Sequence, residues 1–301
     1  MEKGTYGVLL TPFDAKGNVD LDLFRNELNH CLDTDLTGLM ISGSTGEFPY
    51  LSTQENKSLL REAMTTAGGQ KELIAGISGA RESEVLENIF SAEEFGYTLA
   101  MACPPYYFPQ DDTSVYDFYC FVSESLPNSM NLILYNIPFC APAVSVDNFI
   151  RLIEKPNIVG IKDSSGDMLY FEKLVAISNT ERPDFSVFTG QDTTILPAVA
   201  TGGSGLISSG AWMLDDVIQH LLKFLHKGQF DEARKLQHWI TDLMLHVNQI
   251  PFPENYRALA ACLGTDCGIP QRKLSSLRGE HYAEWTEITR RKLDLVPTIV
   301  D

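Results

Sequence analysis

Short apolar segments alternate with amphipathic segments along the first three quarters of the chain. Each apolar run is followed by a loop rich in Gly, Ser, Thr or Pro, and then by a segment with one apolar stripe. Runs that are apolar throughout predict strands buried on both faces, as parallel sheets require. The eight predicted strands are Gly7–Leu10, Leu39–Ser42, Leu73–Ile77, Leu99–Cys103, Leu132–Tyr135, Ile158–Ile161, Phe185–Thr189 and Leu206–Ser208.

The segments between the strands carry helical patterns. Within Asp20–Leu32, every third or fourth residue is apolar, which indicates a helix with one buried face. Ser52 and Thr53 precede Glu55 at the start of another such segment, a combination typical of a helix N-terminus. The other predicted helices are Thr53–Met64, Ser83–Phe95, Val115–Leu126, Val146–Ile153, Met168–Ile177, Thr193–Ala200 and Leu214–Leu225.

Eight strand–helix pairs in this order predict a (β/α)₈ barrel over residues 1–228. A doubly wound open sheet has the same alternation, but it would favour a G-x-G-x-x-G turn after its first strand. Thr11-Pro12-Phe13 stands there instead, so we expect the barrel. From residue 229 the strand patterns stop, which predicts a C-terminal helical extension over residues 229–301. Its predicted helices are Phe230–Val247, Glu254–Leu263 and Glu280–Leu293.

The chain is strongly acidic, with a formal net charge of −17 and a pI near 4.7. Such a surface repels phosphate backbones and anionic lipid headgroups, so we expect neither nucleic acid nor membrane as a partner. Six scattered cysteines without a C-x-x-C pair are typical of reduced thiols. The first residues lack the apolar core of a signal peptide, and we expect a cytoplasmic protein.

Histidine placement argues against metal catalysis. None of the six histidines stands at a predicted strand end, and no H-x-x-x-H spacing occurs. A Walker-type phosphate loop does not occur either. We therefore expect an enzyme without metal or cofactor.

The most informative position is Lys162, which directly follows the predicted strand Ile158–Ile161. Active sites of such barrels lie at the C-terminal ends of the strands, so this amine would stand at the mouth of an apolar barrel. Desolvation disfavours the ammonium form and lowers its pKa, and a neutral amine can attack a carbonyl to form an imine. The alternative is a lysine that leaves the barrel and pairs with Asp163 on the surface.

Other strand ends carry polar groups whose roles are open when taken singly. Ser44 and Thr45 follow the second strand between two glycines, either as a carboxylate cradle or as an ordinary β–α turn. Tyr107 follows the fourth strand and Tyr135 ends the fifth. Packing is the commoner role for such tyrosines, although Tyr135 could also move a proton inside the barrel.

Four motifs together resemble the dihydrodipicolinate synthase / N-acetylneuraminate lyase family. They are Gly-Ser-Thr-Gly-Glu from Gly43, the pair Tyr106-Tyr107, Tyr-Asn-Ile-Pro from Tyr135, and Gly-Ile-Lys-Asp ending at Asp163. Their order and spacing are those of the family, and the resemblance covers nearly the whole chain. The family consists of class I pyruvate-dependent aldolases, typically homotetramers.

The resemblance implies a role for each matching residue. Lys162 would form a Schiff base with a 2-oxo acid and Tyr135 would be the proton shuttle beside it. Ser44 and Thr45 would bind the carboxylate, and Thr45 would link Tyr135 to Tyr107, which in the family commonly comes from a neighbouring subunit. The remaining implied substrate contacts are the backbone of Ile207 together with Gly190, Asp192 and Ser164.

Two departures from the family pattern bear on the substrate. Cys140 stands where dihydrodipicolinate synthases carry an arginine for a second carboxylate, and a cysteine cannot form a bidentate carboxylate pair. Thr193 stands where sialate lyases commonly carry a glutamate. We expect a lyase that releases pyruvate from a 2-oxo acid, such as a 2-keto-3-deoxy sugar acid or a substrate like N-acetylneuraminate.

Other outcomes of the same imine chemistry remain open. They are a 4-hydroxy-tetrahydrodipicolinate synthase-type condensation, a keto-deoxy sugar acid dehydratase and a 4-hydroxy-2-oxoglutarate aldolase. A further alternative, from another class, is a barrel that binds a 2-oxo acid without catalysis.

Overall fold

The computed structural model describes residues 1–271 and 279–298. Eight parallel strands form a closed barrel in chain order, with β8 pairing back onto β1. This confirms the (β/α)₈ barrel predicted from the alternating pattern. The strands are β1 (Gly4–Val8), β2 (Gly38–Ile41), β3 (Glu72–Gly76), β4 (Leu99–Ala102), β5 (Asn131–Asn136), β6 (Ile158–Asp163), β7 (Ser186–Thr189) and β8 (Gly205–Ser208).

The first strand begins three residues before its predicted start, and the predicted bounds Gly7–Leu10 were wrong. Gly4 and Thr5 pair with β8, so the ladder extends ahead of the apolar run. Leu9 and Leu10 are buried but follow the strand. An apolar run indicates which residues are buried. The bounds of a strand depend instead on which backbone groups form hydrogen bonds with a neighbouring strand.

Helices follow the strands around the outside of the barrel. They are α1 (Leu21–Leu32), α2 (Thr53–Ala67), α3 (Glu82–Glu94), α4 (Asp112–Ser125), α5 (Val146–Leu152), α6 (Met168–Glu181), α7 (Ile195–Ala200), α8 (Gly210–Met213), α9 (Asp215–His226), α10 (Phe230–Val247), α11 (Glu254–Cys262) and α12 (Gly279–Asp294). Ser52 caps α2 as predicted, because its hydroxyl accepts the Glu55 N–H while the Glu55 carboxylate accepts the Ser52 N–H. The predicted helix Thr193–Ala200 begins instead as a 3₁₀ turn, Asp192–Thr194, and the short α8 precedes α9.

Side chains of each strand alternate between two apolar layers. One layer fills the barrel interior and includes Tyr6, Ile133, Tyr135 and Phe188. The other lies between the strands and the surrounding helices and includes alternate strand residues such as Leu134. Since Tyr135 and Phe188 face inward, this alternation determines which strand-end residues can reach the interior.

The helices after the barrel pack back onto it. α10 contacts α9 and the 3₁₀ turn Asp192–Thr194, and α11 contacts α8. The division at residue 228 stays a prediction, and parts of the predicted extension, residues 272–278 and 299–301, lie outside the described residues. No helix within residues 1–271 and 279–298 has the length and hydrophobicity that a membrane-spanning segment needs.

Candidate active site

A cavity of about 230 Å³ opens at the carboxyl ends of the strands. Residues that follow β2, β5, β6, β7 and β8 line one side of it, and residues of α10 and α11 and of the segment between them line the other. The predicted residues Thr45, Tyr135, Lys162, Ser164, Gly190 and Asp192 all line this cavity.

Lys162 lies on β6 in register with Tyr135 of β5 and Phe188 of β7. Its side chain is only 4% exposed, and Nζ lies 4.4 Å from the centre of the Tyr135 ring. Burial lowers the pKa of Lys162 to about 7, although the charge of Asp192 acts in the opposite direction. A substantial fraction of the amine is therefore neutral near pH 7 and able to act as a nucleophile.

The residue after Lys162, Asp163, has a different set of partners. Its carboxylate accepts a hydrogen bond from the Asn136 amide at 2.7 Å and one from the Ser165 hydroxyl at 2.9 Å. Asn136 in turn accepts the Val144 N–H at 3.0 Å. Asp163 therefore ties the carboxyl ends of β5 and β6 together, and the alternative of a surface Lys162–Asp163 pair is wrong.

The phenol of Tyr135 is buried beside the amine. Burial raises the pKa of Tyr135, while the hydroxyls of Ser44 and Ser164, as hydrogen-bonding neighbours, act in the opposite direction. Tyr135 therefore holds its proton at neutral pH and has two hydroxyl groups beside it that can pass a proton. Ser44 comes from the turn after β2, so two of the predicted motifs meet at this phenol.

Asp192 is a buried carboxylate with two hydroxyl donors. Ser208 donates to one oxygen at 2.5 Å and Tyr256 donates to the other at 2.7 Å. Burial raises the pKa of Asp192, and these hydrogen bonds together with the charge of Lys162 oppose that rise. Asp192 is therefore the acidic group that acts electrostatically on the amine.

Two glycines leave room for this arrangement. A Cβ atom on Gly190 would stand 2.0 Å from Ser164 Oγ and 2.8 Å from Lys162 Cε. A Cβ atom on Gly210 would stand 2.3 Å from a carboxylate oxygen of Asp192. Larger residues at either position would displace the groups of the site.

Three predicted site residues, Ser44, Tyr107 and Ile207, are not among the residues that line the cavity of the single chain. Tyr107 is 88% exposed and packs edge-on against Phe108, with ring centres 5.0 Å apart. Ile207 is fully buried in the barrel interior. A hydrogen bond from Thr45 to Tyr135 is not among those of the described residues, so the hydroxyl chain from Tyr135 through Thr45 to Tyr107 stays a prediction, as does the Ile207 backbone contact.

The C-terminal helices contribute site residues that sequence analysis missed. Asn255 and Tyr256 on α11 line the cavity, together with Phe252 just before that helix. Pro251 and Pro253 marked a break between helices, but they gave no indication that the chain after the break returns to the barrel mouth. Ser208, at the end of β8, was also missed as the partner of Asp192.

Arg257 connects α11 to the Gly-Ser-Thr-Gly-Glu turn. This buried guanidinium donates to the Glu47 carboxylate at 2.6 Å and to the Thr11 carbonyl at 3.0 Å, and it also forms an ion pair with Glu254. The turn that carries Thr45 and the helix that carries Tyr256 are therefore held together by one buried charge network. Removing one partner from such a network is costly because it leaves an uncompensated buried charge.

The described residues contain no group of three or more His, Cys, Asp or Glu side chains that could hold a metal ion. That the protein needs neither metal nor cofactor stays a prediction. The chemistry available at this site is that of an amine, a phenol, a carboxylate and several hydroxyls.

Comparison with known proteins places the chain in one family. A family model described as the dihydrodipicolinate synthetase family matches residues 1–291. A 4-hydroxy-tetrahydrodipicolinate synthase of Bacillus velezensis is 30% identical over 86% of this chain and 89% of its own. An N-acetylneuraminate lyase of Clostridium perfringens is 29% identical over 96% of this chain and 99% of its own.

A solved structure agrees with this assignment. The crystal structure of a dihydrodipicolinate synthase from Bacillus anthracis matches with a TM-score of 0.90 and 27% identity, covering 99% of each chain. The chain therefore belongs to the dihydrodipicolinate synthetase family and is an enzyme of the class I pyruvate-dependent aldolase type.

Proposed function

We propose that the protein is a Schiff-base-forming lyase that cleaves a 2-oxo acid to pyruvate and an aldehyde, with Lys162 as the nucleophile. One observation carries the proposal: a buried lysine whose pKa is lowered to about 7 lies 4.4 Å from the Tyr135 ring at the mouth of the barrel. A lysine that served only to bind an anion would not need to lose its proton.

In the proposed mechanism the neutral Lys162 amine attacks C2 of the 2-oxo acid. Tyr135 donates its proton to the departing C2 hydroxyl, and water leaves as the imine forms. The resulting phenolate takes the proton of the C4 hydroxyl, and the C3–C4 bond breaks to give an aldehyde and an enamine. Protonation of the enamine at C3 gives the pyruvyl imine, and water releases pyruvate and free Lys162.

We assign roles to the surrounding groups from the family resemblance, and their positions support the assignment. Thr45 on the cavity wall and Ser44 beside Tyr135 would hold the substrate carboxylate, and the backbone of Ile207 would contribute a further contact, as the family resemblance implies. Gly190, Ser164 and Asp192 border the space next to Lys162 where the aldehyde half would lie. Asp192 acts electrostatically on the amine, which counters part of the pKa lowering caused by burial.

Cleavage is favoured over condensation with a substrate that carries a second carboxylate. Among the described residues that line the cavity, Lys162 is the only lysine or arginine. Phe139 lines the cavity next to Cys140, and neither residue can pair with a carboxylate. Similarity to a 4-hydroxy-tetrahydrodipicolinate synthase keeps condensation as the second candidate, on the same imine chemistry.

Reductive trapping tests the proposal. Borohydride added with pyruvate should reduce the imine to a secondary amine and leave one 1-carboxyethyl group on Lys162, identified by mass spectrometry of the digested protein. Lys162→Ala should give no adduct, and a wild-type protein without an adduct would refute the proposal. A panel of 2-oxo acids read by pyruvate release, with product masses, then separates lyase, dehydratase and synthase activities.

We also propose that the protein is a cytoplasmic homotetramer. The exposed pair Tyr107 and Phe108 supports an interface at this position, because two exposed aromatic side chains in contact form an apolar surface patch. Light scattering of the wild type and of Tyr107→Ala tests the assembly.

A further inference from the structure

Asn255 is a buried amide whose hydrogen bonding is incomplete. Its side chain is 2% exposed and lines the same cavity as Lys162. Nδ2 donates to Asn248 Oδ1 at 2.8 Å, but Oδ1 is buried and has no hydrogen-bond partner among the described residues. Buried polar atoms in folded proteins are nearly always paired, and a ligand group is one way to pair them.

Within the part of the chain that the structure describes, the cavity is lined by no lysine or arginine other than Lys162. Lys162 is engaged by the 2-oxo group in the proposed reaction, and the cavity's acidic group is Asp192. Arg257 lies two residues after Asn255, but its guanidinium is directed to Glu47 and to the carbonyls of Thr11 and Cys267. A negatively charged group on this side would find no lysine or arginine to pair with among the described lining residues other than Lys162.

An aromatic row borders the cavity on the same side. The rings of Phe139 and Phe252 meet edge-on with centres 5.8 Å apart, and those of Phe252 and Tyr256 do so at 6.3 Å. All three side chains line the cavity. Such a wall contacts carbon chains well and offers few polar partners, so the unpaired Asn255 oxygen stands out as the group that would select a ligand.

We propose that Asn255 Oδ1 accepts a hydrogen bond from a hydroxyl group on the aldehyde half of the substrate, and that this half is uncharged. Its carbon chain would lie along the aromatic row of Phe139, Phe252 and Tyr256. The substrate class is therefore a 2-oxo acid whose cleavage yields a neutral hydroxyaldehyde. This inference rests on the proposed function, because it assumes that pyruvate occupies the Lys162 end of the cavity.

The wild-type protein tests the inference first, in the direction of synthesis from pyruvate. Glyceraldehyde, propanal and glyoxylate are compared as partners: a neutral hydroxyaldehyde, a neutral aldehyde of equal length without hydroxyls, and a charged aldehyde. One hydrogen bond to the buried amide corresponds to about tenfold in kcat/KM in favour of glyceraldehyde over propanal. A preference for glyoxylate, or no turnover of glyceraldehyde although the pyruvyl imine forms, would overturn the inference.

Two variants then assign the preference to Asn255. Asn255→Leu removes the acceptor and should lower kcat/KM for glyceraldehyde about tenfold while leaving that for propanal within about twofold. Asn248→Leu is the matched control at a second cavity-lining residue, since it breaks the Asn248–Asn255 bond but keeps Asn255 Oδ1, and the ratio of kcat/KM for glyceraldehyde to that for propanal should stay as in the wild type. Equal losses for both aldehydes in Asn255→Leu would show a merely structural role.

Pyruvate trapping distinguishes a failure of the role proposed for Asn255 from a failure of the proposed function. An adduct on Lys162 in each variant shows that the variant is folded and that the imine chemistry is intact. An adduct without any discrimination between glyceraldehyde and propanal refutes the role of Asn255 and leaves the proposed function standing. No adduct in the wild type refutes the proposed function itself. If Asn255→Leu fails to fold, the preference of the wild type among the three aldehydes still tests whether the aldehyde half is a neutral hydroxyaldehyde.

Discussion

Lys162 and Tyr135 are register partners on adjacent parallel strands, and the lysine Nζ lies 4.4 Å from the centre of the tyrosine ring. An aromatic face attracts a cation, which would favour the protonated amine. Burial nevertheless dominates and lowers the pKa of Lys162 to about 7. The pairing thus places an amine that is partly neutral next to a phenol that keeps its proton, the combination that carbinolamine formation and breakdown require.

Imine formation should depend on pH through this amine. Below about pH 7 Lys162 is protonated, so we expect the rate of pyruvate trapping to fall roughly tenfold per pH unit there and to level off above it. Asp192→Asn should move the midpoint to lower pH, since the charge of Asp192 raises the pKa of Lys162. Borohydride trapping rates measured from about pH 5 to about pH 9 at constant ionic strength give both midpoints.

Asp167→Asn serves as the control for this shift. Asp167 is exposed and caps α6, and asparagine is an equally good N-cap, so the midpoint should not move. A midpoint that stays in place in Asp192→Asn, or moves to higher pH, would contradict the electrostatic role assigned to Asp192.

Tyr256→Phe should produce a smaller shift in the same direction. The Tyr256 hydroxyl donates to Asp192 at 2.7 Å and lowers the pKa of that carboxyl. Without this hydrogen bond Asp192 is neutral to higher pH and exerts less charge on Lys162, whose pKa falls. The phenylalanine ring keeps its packing against Phe252, so thermal stability should change little.

The pH dependence of the borohydride trapping rate measures this effect. Tyr282→Phe is the control, because it removes a phenol hydroxyl that lies outside the cavity. Tyr282 lies on α12 and packs against Trp285, and its loss of a hydroxyl should leave the midpoint where it is in the wild type. A midpoint above that of the wild type in Tyr256→Phe would refute the proposed connection from α11 to the amine.

Much of the site half that the barrel strands carry was predictable from the sequence. Parallel strands in a closed barrel all end on one face, so residues that follow different strands, such as Lys162, Tyr135 and Thr45, must meet there. The alternation of inward and outward side chains then separates Lys162, which faces the interior, from Asp163, which ties two strand ends. Local pattern and topology indicate that these residues share one face of the barrel, whereas their roles came from the family resemblance and Ser208 at the end of β8 was missed.

The other half depends on how the C-terminal helices pack, which no local pattern predicts. Asn255 and Tyr256 reach the cavity because α11 packs against α8 and is held by the Arg257–Glu47 pair, a contact between residues 210 positions apart in the chain. The role of Tyr107 is a second feature that the sequence of one chain does not determine. Tyr107 is exposed in the single chain, so its predicted role depends on assembly with other subunits.

Gly190→Ala should disable the site while leaving the barrel folded. The added methyl would stand 2.0 Å from Ser164 Oγ and 2.8 Å from Lys162 Cε, so one or both side chains must move. Displacing a reacting group by about 1 Å can reduce the rate by about a hundredfold. Pyruvate trapping and kcat/KM should both fall, and far-UV circular dichroism should be unchanged.

Gly166→Ala is the control for Gly190→Ala, because it introduces backbone strain without a steric clash. Gly166 has a positive φ of 74°, but a methyl group there meets nothing within 4 Å. This variant should lose about 1 kcal/mol of stability and keep its trapping rate. Equal trapping rates in Gly190→Ala and wild type would show that Lys162 does not need the space beside Gly190.

Glu27→Gln should stabilise the protein at alkaline pH. Glu27 is buried on α1 and its Oε1 accepts the Leu10 N–H at 2.9 Å, a bond that glutamine can keep. Burial raises the pKa of Glu27 to about 8, opposed by that hydrogen bond and by the charge of Arg257. The unfolded chain loses this proton near pH 4.5, whereas the folded protein keeps it until about pH 8, so the native state binds more protons in between.

The contribution of Glu27 to the stability of the wild type should therefore fall as pH rises from about 4.5 to about 8, because the slope follows the difference in bound protons between unfolded and native states. Glu27→Gln removes this dependence, so the variant should be more stable than the wild type at pH 8, by on the order of a few kcal/mol, and similar to it near pH 4.5. Urea unfolding at both pH values and one protein concentration measures the difference, with the exposed Glu87→Gln as control. A difference of the same size at both pH values would show that the substitution acts through packing rather than through the buried proton.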